Sequence, residues 1–343
     1  RDQVPVIGGK EVDFTYGDLQ AEMDMINRAY IEVMTTGDAS GRVFTFPIPT
    51  YNITEDFPWE SENANALFEM TAKYGLPYFQ NFINSELSPN MIRSMCCRLQ
   101  LDLRELLKRG NGLFGSAEQT GSLGVVTINM ARLGYVHEGD EEGLILALDR
   151  LLEMARDSLE TKREVIQRYI DEGLFPYTKR YLGTLRNHFS TIGLVGLNEA
   201  CVNLMGCGIG DEAGAAFAGR VLDHMRDRLT AFQEETGHHY NLEATPAEGT
   251  SYRLARLDRE RFPGIQFANQ KAVDGGAEPF YTNSSQLPVD YSSDVFEVLE
   301  LQDGLQAKYT GGTVLHVFLG ESVADPAAVR AFVRRVCAKY SLP

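Results

Sequence analysis

The sequence predicts an α/β fold with a largely parallel sheet or barrel. Strand-like runs rich in β-branched residues alternate with amphipathic helical runs along the chain. The run Leu123-Gly124-Val125-Val126-Thr127-Ile128-Asn129-Met130 is almost continuously apolar, as strands covered on both faces are. No internal repeat or low-complexity linker interrupts the 343 residues, so a single domain over 1–343 is expected.

The elements follow in order. Residues 1–14, with Pro5, Gly8 and Gly9, read as a loop. Leu19, Met23, Ile26, Tyr30 and Val33 fall at helical spacing and predict a helix over about 16–35. Val43 to Pro49 is an extended apolar run; Pro47 and Pro49 limit its ladder hydrogen bonds, which predicts an edge strand. Trp59 to Tyr74 reads as helix, Gly75-Leu76-Pro77 as a break, and Pro77 to Ile83 as the start of another short helix. A helical piece is expected over 103–109 and a Gly- and Ser-rich loop over 110–121. Asp140 to Tyr169 is a long amphipathic helix with a charged outer face, ended by Gly173. Residues 175–183 read as irregular. Helices are expected over about 198–205 and 211–236, a strand over 239–244, and a helix after Ser251 to about Leu257. Residues 260–292 read as mostly irregular. A helix over 294–299, a strand over 311–319 and a closing helix over 326–340 complete the chain, with Pro326 near the first turn of the last.

Hydrophobic content of 43% and charged content of 23% are ordinary for a soluble globular protein. The net charge of −16 repels phosphate backbones and argues against general nucleic-acid binding. A nucleotide ligand stays open, since it needs only one local cradle of donors. Five cysteines, Cys96, Cys97, Cys201, Cys207 and Cys337, are too few and scattered for a disulfide framework, which fits a reducing, cytoplasmic compartment. No stretch reaches the length of a membrane span, and the first residues do not look like a signal peptide. The chain lacks an initiator Met and both ends look cut, so a fragment or trimmed chain is expected.

Several stretches could carry chemistry. In Arg93-Ser94-Met95-Cys96-Cys97-Arg98-Leu99, adjacent cysteines rarely pair with each other and are too close for a CxxC metal clip. They are either two small buried hydrophobes or a reactive sulfur beside the cation Arg98. Thr245-Pro246-Ala247-Glu248-Gly249-Thr250-Ser251 follows a strand and opens a helix. Its hydroxyls and free N–H groups suit an anion. It also fits an ordinary capped helix, with Thr245 as N-cap and Glu248 closing a capping box. The glycines of Phe189 to Glu199 match neither GxGxxG nor a P-loop, and tight packing explains them better. Asn129 ends an apolar strand, where its amide needs partners or contacts a substrate. The six histidines show no paired-ligand spacing, so no metal is expected within this chain. Ser-His-Asp and G-x-S-x-G patterns are absent.

Nine segments, in a single order, resemble the anaerobic, class III ribonucleotide reductase large subunit, a glycyl-radical enzyme family. They are VFTFPIPTYNIT, FEMTAKYGLPYFQNFINS, RSMCCRLQLDLREL, GSLGVVTINMARLGY, GLFPYTKRYLG, FSTIGLVGLNEA, YNLEATPAEGTSYRLA, FYTNSSQLPV and GGTVLHVFLGE, and they span nearly the whole chain. The resemblance implies half or part of a ten-stranded α/β barrel with a central finger loop. It picks Cys97 as the sulfur that becomes a thiyl radical, with Met95 as its neighbour and Cys96 less favoured. That thiyl would take the 3′-hydrogen of a ribonucleoside triphosphate, after which the 2′-hydroxyl leaves as water, with formate as reductant. Asn129 matches a substrate-orienting amide. Thr245, Ala247, Glu248, Gly249, Thr250 and Ser251 match a phosphate-binding turn.

The resemblance also implies a glycyl radical, a four-cysteine zinc module, a radical-SAM activating protein and a homodimer in the full-length protein. An RVxGY-like radical site, the zinc module, the ATP-cone, the effector region and the first barrel half are absent from this sequence. A piece without the radical glycine is expected to have no turnover alone. Two other readings are a non-catalytic homologue that binds nucleotides or scaffolds a subunit, and a glycyl-radical enzyme of the pyruvate formate-lyase type. The phosphate turn argues against the latter.

Overall fold

The computed structural model describes residues 3–85, 92–94, 100–102, 120–318 and 323–341. They fall into two compact units, residues 1–84 with 320–339, and residues 85–319 with 340–343.

In the first unit, β1 (Val6–Ile7) and β2 (Lys10–Glu11) form a small antiparallel pair, and α1 (Gln20–Thr36) follows a 3-10 turn. Strand β3 (Thr50–Ile53) runs parallel to β4 (Tyr78–Asn81), with α2 (Glu62–Tyr74) between them in sequence. Ser61 caps α2, its Oγ accepting from the Ala64 N–H at 3.1 Å. Gly75, in the left-handed conformation, ends it. Ile53, Trp59, Phe68, Val329, Val333 and Cys337 form one core, which brings in the closing helix Pro326–Lys339. Ile31, Met34, Leu67 and Met70 form another.

Two expectations are corrected in this unit. The strand expected over Val43–Pro49 starts only at Thr50, because Pro47 and Pro49 offer no N–H to a ladder. The short helix expected over Pro77–Ile83 is the strand β4, whose Tyr78 and Phe79 suit a pleated, half-buried surface.

In the second unit, β5 (Ile92–Ser94) and β6 (Gln100–Asp102) pair antiparallel. The main sheet is wholly parallel, in the order β7 (Gly121–Asn129), β8 (His188–Val195), β9 (His239–Glu243). Helices α3 (Met130–Val136), α4 (Glu141–Asp171) and α5 (Pro176–Tyr181) lead from β7 to β8, and α6 (Leu197–Met205) and α7 (Glu212–Thr236) from β8 to β9. Then come α8 (Glu248–Arg261), the short α9 (Gln270–Asp274) and α10 (Val295–Gln306). The α/β reading with parallel pairing therefore holds. No closed barrel forms among the described residues.

Every residue of β8 is buried, as its central place requires. Ile128, Ile192, Leu194 and Leu242 pack against Leu144, Leu148 and Leu152 of α4 and Phe217, Val221 and Met225 of α7. Ion pairs Glu141–Arg220, Glu153–Arg228 and Arg156–Glu235 join α4 to α7, and hydrogen bonds Asp149–His224 and Glu160–His238 join α4 to α7 and to the residues after it. Each such surface pair is worth at most about 1 kcal/mol.

Further corrections follow. Residues 176–181, expected irregular, are helical, with Pro176 pre-set for a first helical position. Helix α8 runs on to Arg261 and α10 to Gln306. The strand expected over 311–319 forms no ladder among its described residues, 311–318. Gly311 N–H donates to Leu242 O at 2.7 Å and Ala244 N–H to Gly312 O at 3.0 Å, with no strand pairing beyond them. The helix and loop expected over 103–119 lie outside the described residues.

Candidate functional site

Strand alternation gives the main sheet two unlike faces. Val126, Ile128, Ile192, Leu194, Tyr240 and Leu242 belong to the helix-covered core. The opposite face carries Thr127, Asn129, Thr191, Gly193, Asn241 and Glu243, aligned by the pairs Thr127↔Gly193, Thr191↔Asn241 and Gly193↔Glu243. Thr191 Oγ1 donates to Asn241 Oδ1 at 2.7 Å. A Cβ at Gly193 would stand 1.9 Å from Thr245 Oγ1 and 2.8 Å from the Glu243 carbonyl oxygen. Only glycine there lets β8 lie this close to the chain leaving β9. That contact also sets the Thr245 hydroxyl 3.3 Å from Thr127 Oγ1 on β7.

Asn129 ends β7 and caps α3. Its Oδ1 accepts from the Arg132 N–H at 3.2 Å, and its Nδ2 donates to Asp258 Oδ2 at 2.8 Å. Asp258 is fully buried in α8. It also accepts from Arg132 Nε and from the Tyr281 hydroxyl, both at 2.9 Å. Burial and the adjoining Asp258 carboxylate push the Tyr281 phenol well above its usual range, so Tyr281 serves as a donor. An amide has two donors and two acceptor lone pairs, so Asn129 keeps one of each for a ligand.

The chain turns from β9 into α8 through Ala247, which is left-handed at φ 51° and 7% exposed. Ala247 is the residue preceding the helix, so the capping box expected from Thr245 and Glu248 does not form. Thr245 is instead drawn under the sheet, as its Thr127 contact shows. The Ser251 N–H bonds back to Ala247 O, which leaves the Glu248, Gly249 and Thr250 N–H groups as the free first turn. Those three residues are exposed. The positive end of the helix dipole therefore meets solvent, while the Asn129 amide is held about three turns further along the same helix, at Asp258.

The family model described as anaerobic ribonucleoside-triphosphate reductase matches residues 3–343. The chain belongs to this family. The reductase of Escherichia coli K12 is 25% identical over 215 residues, covering 57% of this chain and 29% of that protein. The phage T4 reductase is 25% identical over 216 residues, covering 58% and 33%. The chain thus spans about a third of the length of these relatives. Among solved structures, the Thermotoga maritima anaerobic ribonucleotide reductase with MES in its active site superposes with a TM-score of 0.70. That match has 23% identity and covers 95% of this chain and 51% of that one. The same enzyme in complex with dATP and CTP gives 0.72 at 22% identity, covering 98% and 53%. These likenesses show that the fold is shared.

Of the site residues the reductase resemblance implied, Cys97 and Met95 lie outside the described residues. Thr245, at the start of the Thr245–Ser251 turn, meets Thr127, two residues before Asn129 on β7, whereas Asp258, the partner of Asn129, lies about three turns along α8 from that turn. Arg132, Asp258 and Tyr281 were missed by sequence reasoning, as was Glu199. Glu199 is fully buried on α6, where Oε2 accepts from the Thr282 N–H and hydroxyl, both at 2.9 Å, and Oε1 from Asn198 Nδ2 at 2.9 Å. Burial raises its carboxyl above the usual range. The available signal was a charged residue in the otherwise uncharged run Phe189 to Leu204. Among the described residues, no group of three or more His, Cys, Asp or Glu side chains could hold a metal ion, so none is given to zinc. No described helix is long and apolar enough to cross a membrane.

Proposed function

We propose that this chain supplies the substrate-binding part of an anaerobic ribonucleoside-triphosphate reductase, as one catalytic-barrel domain of a longer, cytoplasmic, homodimeric protein. The observation that carries the reading is the Thr127–Thr245 contact. It ties β7, two residues before the Asn129 amide at its end, to the turn that opens the helix whose free first turn faces solvent. Within the turn of Thr245, Ala247, Glu248, Gly249, Thr250 and Ser251, a ribonucleoside triphosphate would lay its phosphates on the free N–H groups of Glu248, Gly249 and Thr250 and on the Thr250 hydroxyl. Asn129 would then orient the ribose hydroxyls or hold formate. Binding of dATP and CTP by the Thermotoga maritima relative supports a nucleotide ligand.

Cys97 is proposed as the hydrogen-abstracting sulfur, with Met95 beside it. In the complete enzyme a glycyl radical, installed by a radical-SAM activating protein, would supply the unpaired electron that Cys97 would hold. Zinc is assigned to the complete protein and to none of the described residues. Family membership sets aside the pyruvate formate-lyase reading.

The test is calorimetry of this chain with ribonucleoside triphosphates and with the matching nucleosides. Triphosphates are expected to bind and nucleosides to bind at least about tenfold more weakly, since the helix N-terminus acts on the phosphates. Equal binding of both, or binding of neither, would overturn the reading.

A further inference from the structure

A cavity of about 300 Å³ opens beside the first turn of α8, lined among others by Ser251, Phe280, Asn283, Leu287, Pro288 and Phe318. That is at the small end of ligand clefts, about 300–1,000 Å³. Its walls are mainly apolar and partly aromatic, with Asp290 and His316 among the polar side chains that line it. Phe280 and Phe318 are 42% and 62% exposed at its edge.

The polar group offered into it is specific. Residues 281–287 are buried except for Asn283. The backbone of Asn283 bridges to Val195 at the end of β8. Its side chain makes no hydrogen bond among the described residues. The other amides of the wall are engaged: Asn269 Nδ2 donates to Glu278 O at 2.9 Å, and Gln286 Nε2 to Val314 O at 2.6 Å.

The loop that presents Asn283 is held from behind. Ser284, the next residue, is left-handed at φ 43° and fully buried, a conformation that persists only where surroundings enforce it. The Tyr309 hydroxyl donates to Ser285 Oγ at 2.9 Å, and Gln306 Nε2 reaches the same oxygen at 3.4 Å. A strained backbone, a clamp and an unpaired amide at a cavity mouth point to a ligand contact.

We infer that this cavity takes the nucleobase of the triphosphate, with Asn283 hydrogen-bonding its edge and Phe318 covering its face. The inference rests on the phosphate reading of the α8 turn, since Ser251 belongs to both. An amide presents a donor and an acceptor side by side, and rotation exchanges them. Asn283 therefore suits the Watson–Crick edge of any of the four bases, so it anchors a base without selecting one. Aromatic stacking is equally tolerant.

The test titrates this chain with CTP, ATP and ribose 5-triphosphate, which has phosphates and sugar but no base. Both nucleotides are expected to bind about tenfold more tightly than ribose 5-triphosphate. Asn283→Ala should narrow that gap severalfold while leaving ribose 5-triphosphate unchanged. It should fold, because the side chain it removes has no hydrogen bond to lose. Phe318→Ala, at an exposed wall, should narrow the gap as well. Equal binding of nucleotide and ribose 5-triphosphate would overturn this inference and leave the phosphate reading standing. Binding of none of them would overturn both. A gap that neither substitution changes would place the base elsewhere and overturn the assignment.

Discussion

Asp258 holds three side chains on one buried carboxylate, those of Asn129, Arg132 and Tyr281. Asp258→Ala would strand all three. Breaking a buried charge pair costs about 3–5 kcal/mol, and water at the partly exposed Arg132 puts this case near the lower figure. A drop of about 3 kcal/mol in urea-unfolding stability is expected, with loss of triphosphate binding; unchanged stability would refute the role. Glu199 gives a pH prediction. Burial raises its pKa from 4.5, so its contribution to stability is full below about pH 4.5 and is lost as pH rises through the raised value. Glu199→Gln, which cannot ionise, should flatten the fall in urea midpoint as pH rises above 4.5. Equal slopes in both proteins would contradict the assignment. The strand end at Asn129 and the helix start after Thr245 were legible in sequence because both are local patterns, while the site roles proposed for them came from the family resemblance. Asp258 was not, since its partners at 129, 132 and 281 are distant in the chain.

At the scale of elements, the close approach of β8 to the end of β9 depends on Gly193. In Gly193→Ala the added methyl would meet the Glu243 carbonyl oxygen at 2.8 Å, which side-chain rotation cannot relieve. Overpacking of this kind costs about 1–3 kcal/mol, and differential scanning calorimetry should show a lowered Tm. An unchanged Tm would mean that the strands have slack. Ala247→Val tests the turn: a β-branched residue is poorly tolerated at φ 51°, so stability and triphosphate binding should fall together. The long helices and β7 were readable from periodicity and composition. Strand β4 was not, because four residues after a proline hold no decisive period and its parallel partner β3 lies across α2. The stretch 311–318 misled in the other direction. Its apolar, β-branched composition suits a strand, yet among the described residues it meets β9 through two backbone hydrogen bonds only.

Over the whole molecule, the sequence pointed to α/β organisation and parallel pairing, because alternation of element types survives errors at element ends. The grouping of 320–339 with 1–84 has no linear mark. It arises from Val329, Val333 and Cys337 packing on Trp59 and Phe68, a match of apolar faces that composition does not reveal. The net charge of −16 makes the proposed nucleotide cradle a local exception on an acidic surface. Fluorescence anisotropy should show no binding of duplex DNA at physiological salt, and measurable binding would contradict the charge argument. The most direct test of the triphosphate cradle is amide hydrogen exchange with and without saturating CTP. Slowed exchange at Glu248, Gly249 and Thr250 is the predicted result; protection confined to another segment, or none, would contradict it.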